Sequence, residues 1–157
     1  YEEVAYDLVG LANPHPGVGS GLVGELPEAM DEVAFLSHLG TAFGLSVIRH
    51  TPLRGRPVKR VAVCGGAGSF LISSALAVGA DVFITADVKY HEFFDAEGRM
   101  VIVDIGHFES EQFTVDLLFE VLQEKNPGDG MRGKNRNFAV LKSETKTNPI
   151  NYYLCQP

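Results

Sequence analysis

The sequence predicts an α/β fold: a mostly parallel or mixed sheet with helices on both faces. Three observations carry that expectation. From Val58 onward one plan repeats three times, a short apolar run, a loop of glycine or polar residues, then a helical pattern. The runs are apolar at successive rather than alternate positions, as strands covered on both faces require. Alternation of strand and helix joins neighbouring strands by crossovers, which makes them parallel.

The elements follow in order. Tyr1 to Val9 opens inside what reads as structure, so residues 1–12 are expected to end an inserted domain and residues 13–157 to form the α/β domain. A helix is expected with Pro27 in its first turn, apolar residues at Met30, Val33, Ala34, Leu36 and Leu39, and an end near Gly40 or Gly44. Ser46 to His50 reads as a strand. The three repeated units are Val61 to Ser69 with a helix over Phe70 to Val78, Val82 to Asp87 with a helix over Lys89 to Ala96, and Val101 to Gly106 with a helix over Phe108 to Lys125. Asn126 to Asn135 is rich in turn formers and reads as a loop. Asn137 to Lys142 is expected to add a strand, and the tail Thr147 to Leu154 to pack against the body.

Composition narrows the function. A chain of 157 residues, 45% hydrophobic and 21% charged, has the makeup of a globular domain with a real core rather than of a disordered segment. Its net charge of -7 argues against nucleic acid as a partner, because phosphate neutralisation needs clustered cations. Basic clusters occur only at Arg54, Arg56, Lys59 and Arg60, and at Arg132, Lys134 and Arg136. No apolar run has membrane-spanning length, so no membrane is expected as a partner. Cys64 and Cys155 lack metal or redox spacing and read as reduced thiols, which with the lack of a leader pattern gives a cytoplasmic location as the expectation.

The richest chemistry lies in Val101 to Glu111. An apolar run stops at Gly106, and a helix opens with His107 and Glu111 four residues apart, on one face. One imidazole and one carboxylate suit Zn, Mn, Fe or Co better than calcium, which prefers oxygen alone. Against this stands a plain ion pair on a solvated helix. Position favours the metal, since ligands of open α/β sheets bind at the carboxyl ends of strands. Two ligands are too few for a tight site. Asp104 is a candidate to orient a ligand, whereas Glu109, two residues from His107, should point elsewhere.

The loops after the other two strands should reach the same edge. The second carries Asp87, Lys89 and His91, of which Asp87 and His91 are candidates for proton transfer or for orienting a ligand. An N-capping Asp on an exposed helix is the plainer alternative. The first carries Gly65-Gly-Ala-Gly-Ser69, whose Gly65, Gly66 and Ser69 could receive an anion, although such loops also serve to turn the chain. Gly19-Ser-Gly-Leu-Val-Gly24 matches a dinucleotide fingerprint but follows Asn13-Pro-His-Pro-Gly17 where a strand should stand, and is set aside. His15, His38 and His50 lack paired ligands.

Taken together, Tyr1-Glu-Glu-Val-Ala-Tyr-Asp7, Gly19 to Leu26, Gly65 to Ser69, Ala86-Asp-Val-Lys-Tyr-His91 and Gly106-His-Phe-Glu-Ser-Glu111 resemble the Nif three-like dinuclear-metal-centre family, homologues of a type 2 GTP cyclohydrolase I. The resemblance spans nearly the whole chain. It implies the C-terminal half of a two-lobed metal-binding fold, with His107 and Glu111 as ligands and the remaining ligands, a histidine pair and an aspartate, in an N-terminal half. It also implies two divalent ions per full-length subunit and a homohexamer. Ser20 stands where relatives often carry arginine. The function expected is a metal-dependent hydrolase acting on a nucleotide-like, phosphorylated or cyclic amide compound; the alternatives are a non-catalytic metal-binding scaffold and a metal-free nucleotide-binding module.

Overall fold

The computed structural model describes residues 19–125 and 140–153. Its elements are β1 (Leu22–Met30), α1 (Glu32–Phe43), β2 (Arg49–His50), β3 (Val58–Ala67), a 3-10 turn at Ser69–Leu71 leading into α2 (Ile72–Ala77), β4 (Val82–Ala86), a 3-10 segment at Tyr90–Ala96, β5 (Val101–Asp104), α3 (His107–Glu111) and α4 (Thr114–Lys125). The five strands form one sheet in the order β1-β3-β4-β5-β2. The repeated units supply its parallel centre, with Val61 opposite Val82 and Val82 opposite Val101. The two edges, β1 on β3 and β2 on β5, are antiparallel.

All residues of β4 and β5 are buried, as their continuous apolar runs require. Successive side chains feed opposite faces. Phe83 and Ile102 join Ile72, Ala75, Val88 and Met100 on one side; Val82, Ile84, Val101 and Val103 meet Phe35, Leu39 and Val58 on the other. Each large buried side chain contributes about 1.5–3 kcal/mol of burial. A two-sided core of this kind holds the strand ends in register.

Several elements differ from expectation, each for a local reason. Pro27 does not open a helix: it lies in β1, where the pairing with β3 shifts register between Glu25 and Met30. An edge strand at an irregularity tolerates a residue without an N–H. The helix starts instead after Asp31, whose Oδ1 accepts from the N–H groups of Val33 (2.9 Å) and Ala34 (3.1 Å), and it ends at Gly44 in the left-handed conformation. Of Ser46 to His50, only Arg49 and His50 pair as strand. The helix expected over Phe108 to Lys125 is broken at Gln112 and Phe113 into α3 and α4, and Lys89 to Ala96 winds as 3-10 rather than α-helix. Residues 140–142 carry no strand; the rest of the predicted Asn137 to Lys142 strand, the Asn126 loop, the second basic cluster, His15 and residues 1–12 lie outside the described residues.

The first basic cluster serves the fold. Arg54 reaches Glu32 (3.5 Å) and Asp81 (3.0 Å), and Arg60 reaches Glu25 (2.8 Å). Asp81 also accepts from the N–H groups of Lys59 and Arg60. Burial works to raise its pKa, but those amides and the Arg54 guanidinium outweigh it and hold the carboxyl below the usual range. No helix of the described residues is long and apolar enough to cross a membrane.

Candidate metal centre

The three central strands run parallel, so their carboxyl ends reach one edge of the sheet. There β3 brings Gly66, β4 is followed by Asp87, and β5 leads through Gly106 into α3. All three residues have positive φ, at +62°, +55° and +91°. For Asp87, which carries a Cβ, this is an uncommon conformation, and such residues concentrate at functional sites.

His107 is held from both sides. Its Nδ1 lies 2.6 Å from Asp87 Oδ2, and its Nε2 lies 3.3 Å from Glu111 Oε2. All three side chains are about half exposed. The short contact to Asp87 selects the tautomer in which Nδ1–H donates, so the Nε2 lone pair faces a carboxylate. Two electron-rich atoms in that position repel unless a proton or a cation lies between them. The pKa of His107 is accordingly raised, foremost by the hydrogen bond with Asp87, with the Asp87 and Glu111 charges adding and burial opposing.

The same geometry suits a metal ion. Ligand distances of about 2.0–2.2 Å at a tetrahedral angle place two donor atoms about 3.3–3.5 Å apart. The separation found, 3.3 Å, needs no adjustment. A third ligand does not come from nearby: among the described residues no group of three His, Cys, Asp or Glu is placed to hold an ion. The described residues thus bring together two candidate donors, His107 Nε2 and Glu111, and no further one.

Gly66 shows why the glycine loop stands beneath this pair. A Cβ there would lie 2.5 Å from Glu111 Oε1 and 3.3 Å from the His107 ring. Its N–H donates to Ser110 Oγ (2.8 Å), whose hydroxyl in turn donates to the His107 carbonyl (2.8 Å). The strand end and α3 are thereby clasped face to face. Gly68 is similarly constrained by Thr85 Oγ1 at 2.5 Å and Cys64 at 2.7 Å, and Thr85 donates to the Gly66 carbonyl (3.1 Å). Ser110 and Thr85 were not legible as site residues, because a lone hydroxyl in a helix or strand carries no pattern.

The remaining predicted residues are placed as follows. Asp104 is buried and orients the site's frame rather than His107: it accepts from Arg49 (3.0 Å), from Val88 N (3.0 Å) and from Gly106 N (3.1 Å). Glu109 turns from the pair toward the tail, accepting from Asn148 Nδ2 (3.1 Å). His91 is exposed and packs its ring on Tyr90 at 5.1 Å; among the described residues no hydrogen bond or ion pair joins it to His107 or Glu111. Gly65 and Gly66 belong to β3 itself, Ser69 gives its hydroxyl to Glu92 (3.1 Å), and Gly66 gives its amide to Ser110, so two donors of the expected anion loop have partners within the chain. His38 is exposed, and His50 Nδ1 contacts the Thr51 carbonyl. Gly21 precedes β1 rather than following a strand, and is glycine because a Cβ would meet Val63 O at 2.9 Å.

Fold and site together define an α/β protein with a histidine–carboxylate pair displayed at the strand-end edge of a mixed sheet. The chain belongs to the Duf34/NIF3 (NGG1p interacting factor 3) family, whose model matches residues 3–149. It is 34% identical over 153 residues to a "GTP cyclohydrolase 1 type 2 homolog" of Halalkalibacterium halodurans and 30% identical over 153 residues to one of Staphylococcus epidermidis, in each case over 97% of this chain and 40% of the relative. A solved Bacillus cereus protein related to NIF3 superposes with a TM-score of 0.68 at 29% identity, over 86% of this chain and 36% of that one. The chain thus spans about two fifths of the length of the curated relatives it matches.

Proposed function

We propose that this chain carries one side of a divalent-metal site in a metal-dependent hydrolase, with His107 Nε2 and Glu111 as ligands and Asp87 as the residue that fixes the imidazole. The observation that supports it most is the pairing of Nε2 and a carboxylate oxygen at 3.3 Å with Nδ1 already committed to Asp87 at 2.6 Å. A carboxylate behind a ligating imidazole raises its basicity and orients it. The ions, two per full-length subunit and of the Zn, Mn, Fe or Co class, would draw their other ligands from parts of the longer protein, and we further propose a homohexamer.

When bound, a divalent ion in such a position acidifies water and polarises a carbonyl or phosphoryl oxygen. The residues described here hold and orient: Gly66 lets the pair approach the backbone, and Asp104 fixes the turn at Gly106. The substrate proposed is a nucleotide-like, phosphorylated or cyclic amide compound, a class suggested by the name of the relatives and by a strand-end site open to solvent. Elemental analysis of the full-length protein together with a hydrolysis panel tests the proposal. Metal bound through His107 and Glu111 with turnover of at least one class is expected; a metal-loaded, folded protein inert to every class supports the scaffold alternative instead.

A further inference from the structure

Arg49 belongs to β2, an outer strand, yet its side chain fastens three other parts of the chain. It lies opposite Asp104 in the antiparallel ladder with β5. One guanidinium nitrogen donates to Asp104 Oδ2 at 3.0 Å and another to the Val88 carbonyl at 2.9 Å. The same group lies over the Phe93 ring, 5.1 Å from its centre, in the 3-10 segment. Asp104 Oδ2 accepts in addition from Val88 N at 3.0 Å. The peptide groups on both sides of Val88 are therefore held, one by each partner of a single ion pair.

What is held there sets the geometry of the site. Val88 directly follows Asp87, whose φ of +55° is uncommon for a residue with a Cβ and persists only where its surroundings over-determine it. The peptide joining the two carries the N–H given to Asp104, so that bond fixes the turn from which the Asp87 carboxylate reaches His107 Nδ1, 2.6 Å away. Arg49 closes the other side. Its side chain is 56% exposed, and an ion pair so placed ordinarily contributes little. The groups it grips are buried, however, with Asp104 5% and Val88 2% exposed. Water can take either bond but cannot tie the carboxylate, the carbonyl and the Phe93 ring to one another. A planar fork of N–H donors that also rests on an aromatic ring does so in one group; the point charge of a lysine does not.

We propose that Arg49 is a positioning residue for the metal-ligand pair: by gripping Val88 it keeps Asp87 in the conformation that orients the His107 imidazole. This rests on the metal-site reading for its effect on metal binding and on the Arg49 contacts alone for its geometry. Arg49 touches neither ligand in this arrangement. Its influence runs through Asp87, and that dependence is what a coupled pair of substitutions measures.

The test titrates manganese by calorimetry into the full-length protein and its Arg49→Lys, Asp87→Gly and doubly substituted variants. Glycine at position 87 accepts the positive φ and removes only the carboxylate. Arg49→Lys is expected to weaken manganese about tenfold, the lower end of the loss seen when support behind a ligand is disturbed. Within Asp87→Gly the same change should alter affinity by less than about twofold, because its route to His107 is already cut. If Arg49→Lys misfolds by circular dichroism, Arg49→Gln gives the same reading. Affinity unchanged by the Arg49 substitution, or weakened equally in both backgrounds as by a residue that only stabilises the fold, overturns the proposal. Manganese binding that is absent from the unsubstituted protein, or that His107→Ala leaves unchanged, refutes the metal site instead. The metal-free crystal structure of full-length Arg49→Lys then decides this inference by itself: an Asp87–His107 separation beyond about 3.5 Å supports it, and one still near 2.6 Å overturns it.

Discussion

Gly66→Ala in the full-length protein is the sharpest single perturbation of the proposed site. The substitution has two separable effects. Holding alanine at φ +62° costs about 1–2 kcal/mol, since a left-handed backbone brings Cβ against its own carbonyl. The new Cβ also lies 2.5 Å from Glu111 Oε1, where ordinary contact begins at 3.4 Å. Glu111 or the strand end must therefore move by about 0.9 Å, well beyond the ±0.2 Å over which ligand distances are held in metal sites. Metal affinity should fall about 10–100-fold, the loss associated with disturbing the shell around a ligand. Gly79→Ala supplies the control: it has φ +71° but open space around the added Cβ. Urea midpoints should fall similarly in both variants, whereas metal content, read by elemental analysis after dialysis against a competing chelator, should fall only in Gly66→Ala. Equal metal retention in the two, or equal loss, refutes the argument that Gly66 is glycine for the sake of the pair.

Further outcomes follow from the same geometry. His107→Ala and Glu111→Ala should each abolish most metal binding with an unchanged circular dichroism spectrum, and Asp87→Asn should weaken binding about 10–100-fold with the ligands still present. His91→Ala should leave metal content unaltered, because its ring packs on Tyr90; a loss of metal would show that His91 reaches the site in the full protein. Asp104→Ala leaves the N–H groups of Val88 and Gly106 without their acceptor and should lower stability by about 2–4 kcal/mol in urea unfolding. Because the folded-state pKa of Asp81 is lowered, its contribution is present above the unfolded carboxylate value of about 4 and is lost as pH falls through the lower folded value. Asp81→Asn should therefore flatten the acid limb of the stability curve, and an unchanged acid limb would show that Asp81 does not contribute it. Zinc or manganese titrated into the 157-residue chain by calorimetry should bind far more weakly than to the full-length protein; tight binding of two ions would show that the ligand set is complete locally.

The parallel centre of the sheet and the meeting of His107 with Glu111 are legible in local patterning. Both are short-range facts: a run such as Val82 to Ala86 has no polar face to present to water, and residues four apart on a helix are neighbours whatever surrounds them. Local patterning failed where pairing partners lie far along the chain. β1 carries Gly24 and Pro27 and is mostly exposed, so it reads as loop or helix start; it is a strand because β3 offers it an edge. Tertiary structure alone decided the state of the site. Asp87 and His107 are twenty residues apart, and only the parallel pairing of β4 with β5 brings the carboxylate to Nδ1. The glycine loop likewise looked like an anion cradle because its composition permits one, yet its amide and hydroxyl go to Ser110 and Glu92 and its missing Cβ makes room for Glu111. A sequence states which groups are able to bond; the folded chain settles which of them are already taken, since each N–H or hydroxyl proton is given to the acceptor that packing brings within reach.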